Sequence, residues 1–143
     1  MQVYFSCSLT GGRQDQPMYA AIVHHLAALG HHVLTAHLAS ADVMAEEAVV
    51  DPVAVYGRDT AWVEECDAMI AEVSTPSHGV GYEIAFALDR RKPVLCCYRA
   101  GARVSKMILG NTAPQITVRA YRDEAEGLQV VDAFLKPLTF PAK

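Results

Sequence analysis

One stretch constrains the fold more than any other: residues 74–86, Ser-Thr-Pro-Ser-His-Gly-Val-Gly-Tyr-Glu-Ile-Ala-Phe. The apolar run 68–73 before it has the length of a buried strand, and the segment 80–88 that it opens repeats its apolar residues at helical spacing. The stretch is therefore a strand-to-helix turn. In an open α/β sheet such turns lie at the carboxyl ends of the strands, where the helix start directs free backbone N–H groups at a bound ligand. Gly79 and Gly81 clear side chains from such a site, and the Ser77 hydroxyl can donate to a phosphate oxygen. Glu83 reads in two ways: a charge favoured by the helix dipole in the first turn, or a carboxylate held ionised beside a substrate. The dinucleotide fingerprint Gly-x-Gly-x-x-Gly is rejected. Ile84 stands at its third glycine, and the pattern follows the third predicted strand instead of the first.

Taken in order, residues 3–7 form the first predicted strand and lead into Ser8-Leu9-Thr10-Gly11-Gly12-Arg13, a second candidate ligand loop. Pro17 suits a first helical turn, and Met18, Ile22, Leu26 and Leu29 recur at helical spacing until Gly30. His24, His25, His31 and His32 read as surface residues, because neighbours on a helix point about 100° apart and cannot share a metal. Residues 33–36 are the second strand, and 37–50 are a loop-like or weakly helical region, expected to form a mobile excursion or lid. From Asp51 as a possible cap and Pro52 at the first position, a helix is predicted to Cys66 with a weak point at Gly57. Val55, Asp59 and Trp62 share one face of it. Asp59 is then either a rim carboxylate paired with Arg58 or a catalytic carboxyl beside an aromatic ring, where its pKa would rise and suit a proton donor. Further strands are predicted at 94–98 and 116–121, and helices at 103–109 and 124–135, with a frayed tail from Pro137.

Strands alternating with helices imply a parallel sheet. The economical arrangement for 143 residues is a single doubly wound, Rossmann-like α/β domain, 1–143, with five parallel strands in the order 2-1-3-4-5. The two glycine-bearing loops would then face each other across one crevice. A net charge of −4 gives no footprint for nucleic acid or an anionic membrane, and no apolar run approaches the length of a membrane span. The N-terminus lacks the pattern of a signal peptide. Cys7, Cys66, Cys96 and Cys97 have neither metal-ligand spacing nor the density of a disulfide scaffold, which points to free thiols in a reducing cytoplasm.

Three runs together carry a resemblance: Val-Tyr-Phe-Ser-Cys-Ser-Leu-Thr-Gly-Gly-Arg from Val3, Arg58-Asp59-Thr-Ala-Trp62, and Ala71-Glu-Val-Ser-Thr-Pro-Ser77-His-Gly-Val-Gly-Tyr-Glu83. In this order, over nearly the whole chain, they resemble the nucleoside 2-deoxyribosyltransferase superfamily, and within it the 2'-deoxynucleoside 5'-monophosphate N-hydrolases of the Rcl type. The resemblance implies a flavodoxin-like domain that acts as a homodimer, without metal or other cofactor, on the bond between a nucleobase and deoxyribose. It implies Glu83 as nucleophile, Asp59 as second catalytic carboxyl and Tyr4 beside sugar and nucleophile. It further implies Ser8 and Ser77 as phosphate-binding serines and Ser105 as one supplied by the neighbouring subunit. The loop residues Gly11, Gly12, Arg13, Gly79 and Gly81 would surround the substrate, while Thr10 stands where a basic residue is expected.

A retaining two-carboxylate mechanism needs one carboxylate to attack the anomeric carbon and a second carboxyl for proton handling, about 5 Å apart. Base exchange by a deoxyribosyltransferase and nucleotide binding without chemistry are the alternatives. One distance argues against the pairing. From Asp59 to the strand at Ala68 the helix descends only about 10 Å, whereas that strand climbs roughly 20 Å, so Asp59 should lie below the crevice unless the helix breaks at Gly57 or tilts.

Overall fold

The computed structural model describes residues 1–139. Its strands are β1 (Gln2–Ser6), β2 (His32–Val33), β3 (Ala68–Glu72), β4 (Val94–Arg99) and β5 (Ile116–Tyr121). They form one parallel sheet in the order β2-β1-β3-β4-β5, the expected doubly wound topology. The helices are α1 (Gln16–Ala28), α2 (Val43–Glu47), α3 (Pro52–Glu65), α4 (His78–Asp89), α5 (Lys106–Leu109) and α6 (Glu124–Thr139), with a 3-10 turn at Ala36–Ala39.

The strand pleat divides the core. Val3 and Phe5 of β1 point to the face covered by α1 and α6, where they pack with Tyr19, Ile22, Leu26 and Val131. Tyr4 points to the other face and packs with Met69, Val63 of α3 and Val80 and Ile84 of α4. Ser6, two residues on from Tyr4, shares that face. All five residues of β3 are buried, as a central parallel strand covered on both sides requires.

Helix starts follow their caps. Asp51 accepts from the backbone N–H of Val53 at 2.9 Å and of Ala54 at 3.3 Å, with Pro52 at the first helical position. Ser77 caps α4 by accepting from Val80 N at 3.4 Å. At α1 the Asp15 side chain makes no cap; it is buried and accepts instead from Arg99 Nε at 3.0 Å and Thr75 Oγ1 at 3.2 Å.

Three expectations are corrected. The second strand stops at Val33, because the Thr35 side chain takes over the ladder, donating to Phe5 O at 2.6 Å and accepting from Phe5 N at 2.9 Å. The loop-like reading of residues 37–50 gives way to the weakly helical one: the 3-10 turn and α2 bury Leu38, Ala39 and Val43 against the α1 side of the core. The last helix passes through Pro137 to Thr139 although proline has no N–H to give to the carbonyl of Ala133; Leu135 and Leu138 on either side of it pack on the core. Residues 140–143 of the expected tail lie outside the described residues.

Candidate active site

Glu83 stands where α4 passes Tyr4. The helix begins at His78 and runs down the face of the sheet, so Glu83 is about 7.5 Å below its start, well past the first turn, which holds no acid. The expected helix-start charge is thereby corrected. At that depth Glu83 Oε1 accepts from the Tyr4 hydroxyl at 2.9 Å, and Oε2 accepts from Ser6 Oγ. The two donors come from alternate residues of β1, which is why one carboxylate can collect both. Ser6 was not singled out in the sequence, although its spacing from Tyr4 carries the signal.

Burial pushes the Glu83 carboxyl above its ordinary range and the Asp59 charge adds to that; the Ser6 and Tyr4 hydrogen bonds and the Arg58 charge act in the opposite sense. The Tyr4 phenol is driven far above its ordinary value by burial and by the charges of Glu83 and Asp59. It is therefore a neutral O–H donor at any physiological pH.

Asp59 lies on an unbroken α3, and no break at Gly57 is needed. Asp59 and Glu83 line one cavity of about 480 Å³ between α3 and α4, whose walls include Val55, Tyr56, Tyr82 and Phe86. The height argument against the pair fails because Glu83 descends to meet Asp59. Asp59 Oδ1 accepts from Arg58 Nε at 2.8 Å, and it is the Arg58 guanidinium that lies over the Trp62 ring, 5.0 Å from its centroid. The rim pairing with Arg58 and the shared cavity with Glu83 thus coexist. Tyr56 and Tyr82 join their hydroxyls at 3.1 Å across the cavity mouth, and Tyr82 stacks on Phe86.

The two glycine loops meet above this cavity. A Cβ on Gly11 would stand 2.3 Å from Pro76 O and 2.7 Å from Ser8 Oγ, so glycine is required for their contact. Ser8 Oγ is buried and has no hydrogen-bond partner among the described residues. Gly12 has a φ of +129°, reserved for glycine. Arg13 does not face the cavity: its guanidinium donates to Ser40 O at 2.8 Å and to Ser8 O at 3.4 Å and stacks on Tyr19, tying the first loop to the α1 side. Gly79 lines the cavity with Glu83, whereas Ser77 and Gly81 line a groove on the other flank of α4. Ser105, cap of α5, lines that same groove from its own chain. Beneath the 74–77 turn Glu72 is fully buried and accepts from Tyr121 OH at 2.8 Å and from Ser74 Oγ, while Arg99 N donates to Ser74 Oγ at 2.7 Å.

Among the described residues no group of three or more His, Cys, Asp or Glu side chains converges as a metal site, and no helix is long and apolar enough to cross a membrane.

Fold and site together define a flavodoxin-like domain with Asp59 and Glu83 on one cavity flanking its sheet. The chain belongs to the nucleoside 2-deoxyribosyltransferase family, whose model matches residues 3–135. A relative from Methanococcoides burtonii, provisionally named 2'-deoxynucleoside 5'-phosphate N-hydrolase 1, is 41% identical over 121 residues, 85% of this chain and 99% of the relative. The 5-hydroxymethyl-dUMP N-hydrolase of Mus musculus is 44% identical over 112 residues, 76% of this chain and 64% of the mouse protein. The structure of the Clostridium botulinum CMP N-glycosidase BcmB shares the fold, with a TM-score of 0.72 at 22% identity, covering 94% of this chain and 100% of that one.

Proposed function

We propose that this protein is an N-glycosidase that hydrolyses 2'-deoxynucleoside 5'-monophosphates to free base and 2-deoxyribose 5-phosphate. The observation that carries the reading is the Glu83 carboxyl, held by Tyr4 and Ser6 on a cavity that it shares with Asp59. The names of the relatives support the substrate class.

In the first step a Glu83 oxygen attacks C1' as the bond from C1' to the base nitrogen breaks, and Asp59 delivers a proton to the departing base. Positive charge developing on the sugar favours the ionised form of Glu83, and burial strengthens that attraction. In the second step water attacks C1', Asp59 takes its proton and the Glu83 carboxylate leaves. Throughout, Tyr4 and Ser6 fix the carboxylate so that one oxygen faces the sugar.

The phosphate falls to the loops above. Ser77 oxygen accepts from Val80 N, which leaves its hydrogen free to donate, and the unpartnered Ser8 oxygen lies in the facing loop. Gly79, on the cavity beside Glu83, leaves the start of α4 open to a backbone-bound anion, while Gly11 and Gly12 shape the facing loop and Gly81 lines the groove with Ser77. Ser105 of the partner subunit completes the phosphate site in a homodimer, a reading supported by exposed Met107, Tyr56 and Tyr82 beside the two grooves. Four buried free thiols suit the cytoplasm as its location.

The test is base release, followed by chromatography, from deoxy- and ribonucleoside 5'-monophosphates and the matching nucleosides, each with and without an added free base. Hydrolysis that requires the 5'-phosphate and ignores the acceptor is expected, and Glu83→Ala should remain folded and lose nearly all of it. Turnover that requires the acceptor, with a new nucleoside as product, would make the protein a deoxyribosyltransferase, the activity for which the family is named.

A further inference from the structure

Arg58 is absent from the cavity lining, yet it touches the acidic groups around it. Its Nε donates to Asp59 Oδ1 at 2.8 Å, while Nη1 and Nη2 donate to Glu47 Oε1 and Oε2 at 3.0 and 3.4 Å. Adjacent residues on a helix point about 100° apart, so the Arg58 side chain does not meet Asp59 by helix geometry alone. Two further contacts hold it there. Trp62, four residues on and therefore on the same face, lies under the guanidinium with 5.0 Å between them. Glu47 receives the far end of the fork and is itself backed by His37, whose Nε2 lies 3.0 Å from Oε1. The His37 ring in turn meets the Trp62 edge at 6.0 Å. These groups are mostly covered, with Arg58, Glu47 and Asp59 side chains 26%, 15% and 18% exposed.

The charge balance points the same way. Glu47, Asp59 and Glu83 line the cavity, whose lining contains no Lys or Arg. The charged and titratable groups facing them are Arg58 from α3, His37 from the 3-10 turn and Tyr4 from β1, with Ser6 as a neutral donor. Burial alone would raise Glu47, but the hydrogen bonds and charges of Arg58 and His37 outweigh it and hold Glu47 below its ordinary value. The segment 37–50 gains a purpose here, since buried Val43 anchors α2 and thereby Glu47.

We propose that Arg58 is a positioning residue for the glycosidase reaction: clamped between Glu47 and Trp62, it fixes Asp59 at the cavity wall and offsets the repulsion between Asp59 and Glu83. The proposal rests on the assignment of Glu83 and Asp59 given above. Arg58 touches no substrate and acts through Asp59.

The experiment compares base release across pH for the wild type, Arg58→Gln, Arg58→Lys and Glu47→Gln, with melting temperatures recorded alongside. Arg58→Gln is expected to lower kcat by about tenfold or more, the loss of one charge-assisted hydrogen bond, with KM changed less than about twofold. Removing the cation lets Glu47 and Glu83 protonate more readily, so the acid limb of the profile moves to higher pH. Arg58→Lys restores the limb but not the rate, because an ammonium cannot span Asp59 and Glu47 as a fork does. Glu47→Gln lowers kcat in the same sense. Wild-type kcat and profile in Arg58→Gln, or full rate recovery in Arg58→Lys, would overturn the proposal. A carboxyl 13C NMR titration reads the same coupling without turnover: in Arg58→Gln the Glu83 and Glu47 resonances should titrate at higher pH, and two unmoved titrations overturn the inference. Failure of the wild type to release base from any nucleotide, with those resonances shifted, would instead remove the glycosidase assignment and with it the catalytic meaning of the clamp.

Discussion

Tyr4→Phe isolates one atom of the proposed machinery. The ring is fully buried among Met69, Val63 and Val80, and phenylalanine keeps that packing while deleting the hydroxyl that donates to Glu83 Oε1 at 2.9 Å. Ser6 remains as a second donor on the other oxygen. A hydrogen bond to a charged acceptor contributes about 1.5–3 kcal/mol, so if it holds the carboxylate through the attack, kcat falls roughly 10- to 150-fold. The pH dependence gives a second, independent reading. The Tyr4 bond lowers the Glu83 pKa against the burial that raises it, so its loss lets the carboxyl protonate more readily. The acid limb of kcat/KM then moves to higher pH, and the variant is most impaired on the acid side. The assay is base release from a deoxynucleoside monophosphate as a function of pH, with Ser6→Ala and the double variant beside it. Both donors serve one carboxylate, so their effects should be non-additive. Wild-type kcat with an unmoved acid limb in Tyr4→Phe would refute the reasoning, since the hydroxyl would then be a packing detail.

Gly11→Ala brings a Cβ to within 2.3 Å of Pro76 O, a backbone atom that cannot yield cheaply, and should cost about 1–3 kcal/mol of stability while raising KM for the nucleotide; equal stability and KM would remove the two loops' contact from the argument. All four thiols are buried, and burial pushes Cys7 and Cys96 up to about 12 and Cys66 to about 11, and raises Cys97 well above its ordinary value, so a disulfide reagent should titrate no thiol in the native protein and all four after denaturation. Burial raises Glu72 and Glu83 above their ordinary value of 4.5, so the folded chain keeps protons that the unfolded chain has released. Their contribution to stability is full below that value and is lost as pH rises through the folded values; Glu83→Gln removes one share of the slope. Its melting temperature relative to wild type should therefore increase from about pH 5 to about pH 8, and a constant difference would count against a raised Glu83.

The fold was legible because its signals are long or chemically specific. A five-residue strand buried on both faces, a Pro after a capping Asp, and a glycine-rich turn between strand and helix leave few topologies open. What the sequence misplaced depends on single tertiary contacts. β2 ends where the Thr35 hydroxyl replaces a backbone partner, and the order of segment 37–50 comes from Leu38 and Val43 entering the core contributed by α1. Neither contact has a period for a sequence to display. Residues 137–139 stay helical for the same kind of reason, because Leu138 has core to pack against.

For the site, the sequence singled out two carboxylates that line one cavity and gave them the wrong altitude. Placing all the chemistry at the strand tips made Glu83 a helix-start charge and left Asp59 too low to reach it. The helices of such a fold run back down the sheet, so a residue in the middle of α4 and one in the middle of α3 share a height, and that height is where Tyr4 lies within β1. The same geometry separates two tasks along α4. Ser77 at its cap stands at the crevice, where a phosphate would meet free backbone N–H groups, and Glu83 lies about 7.5 Å further down, where a sugar carbon would meet the carboxylate. Ser77 lines the groove on one flank of α4 and Glu83 the cavity on the other, so in the proposed reaction a nucleotide that reaches both crosses the helix start beside Gly79. The Arg58–Asp59 pair was one reading of the sequence, but the Glu47 contact that completes the clamp escaped it for a stricter reason. Adjacent charges on a helix ordinarily diverge, and Glu47, eleven residues away on another helix, together with Trp62 turns Arg58 toward its neighbour.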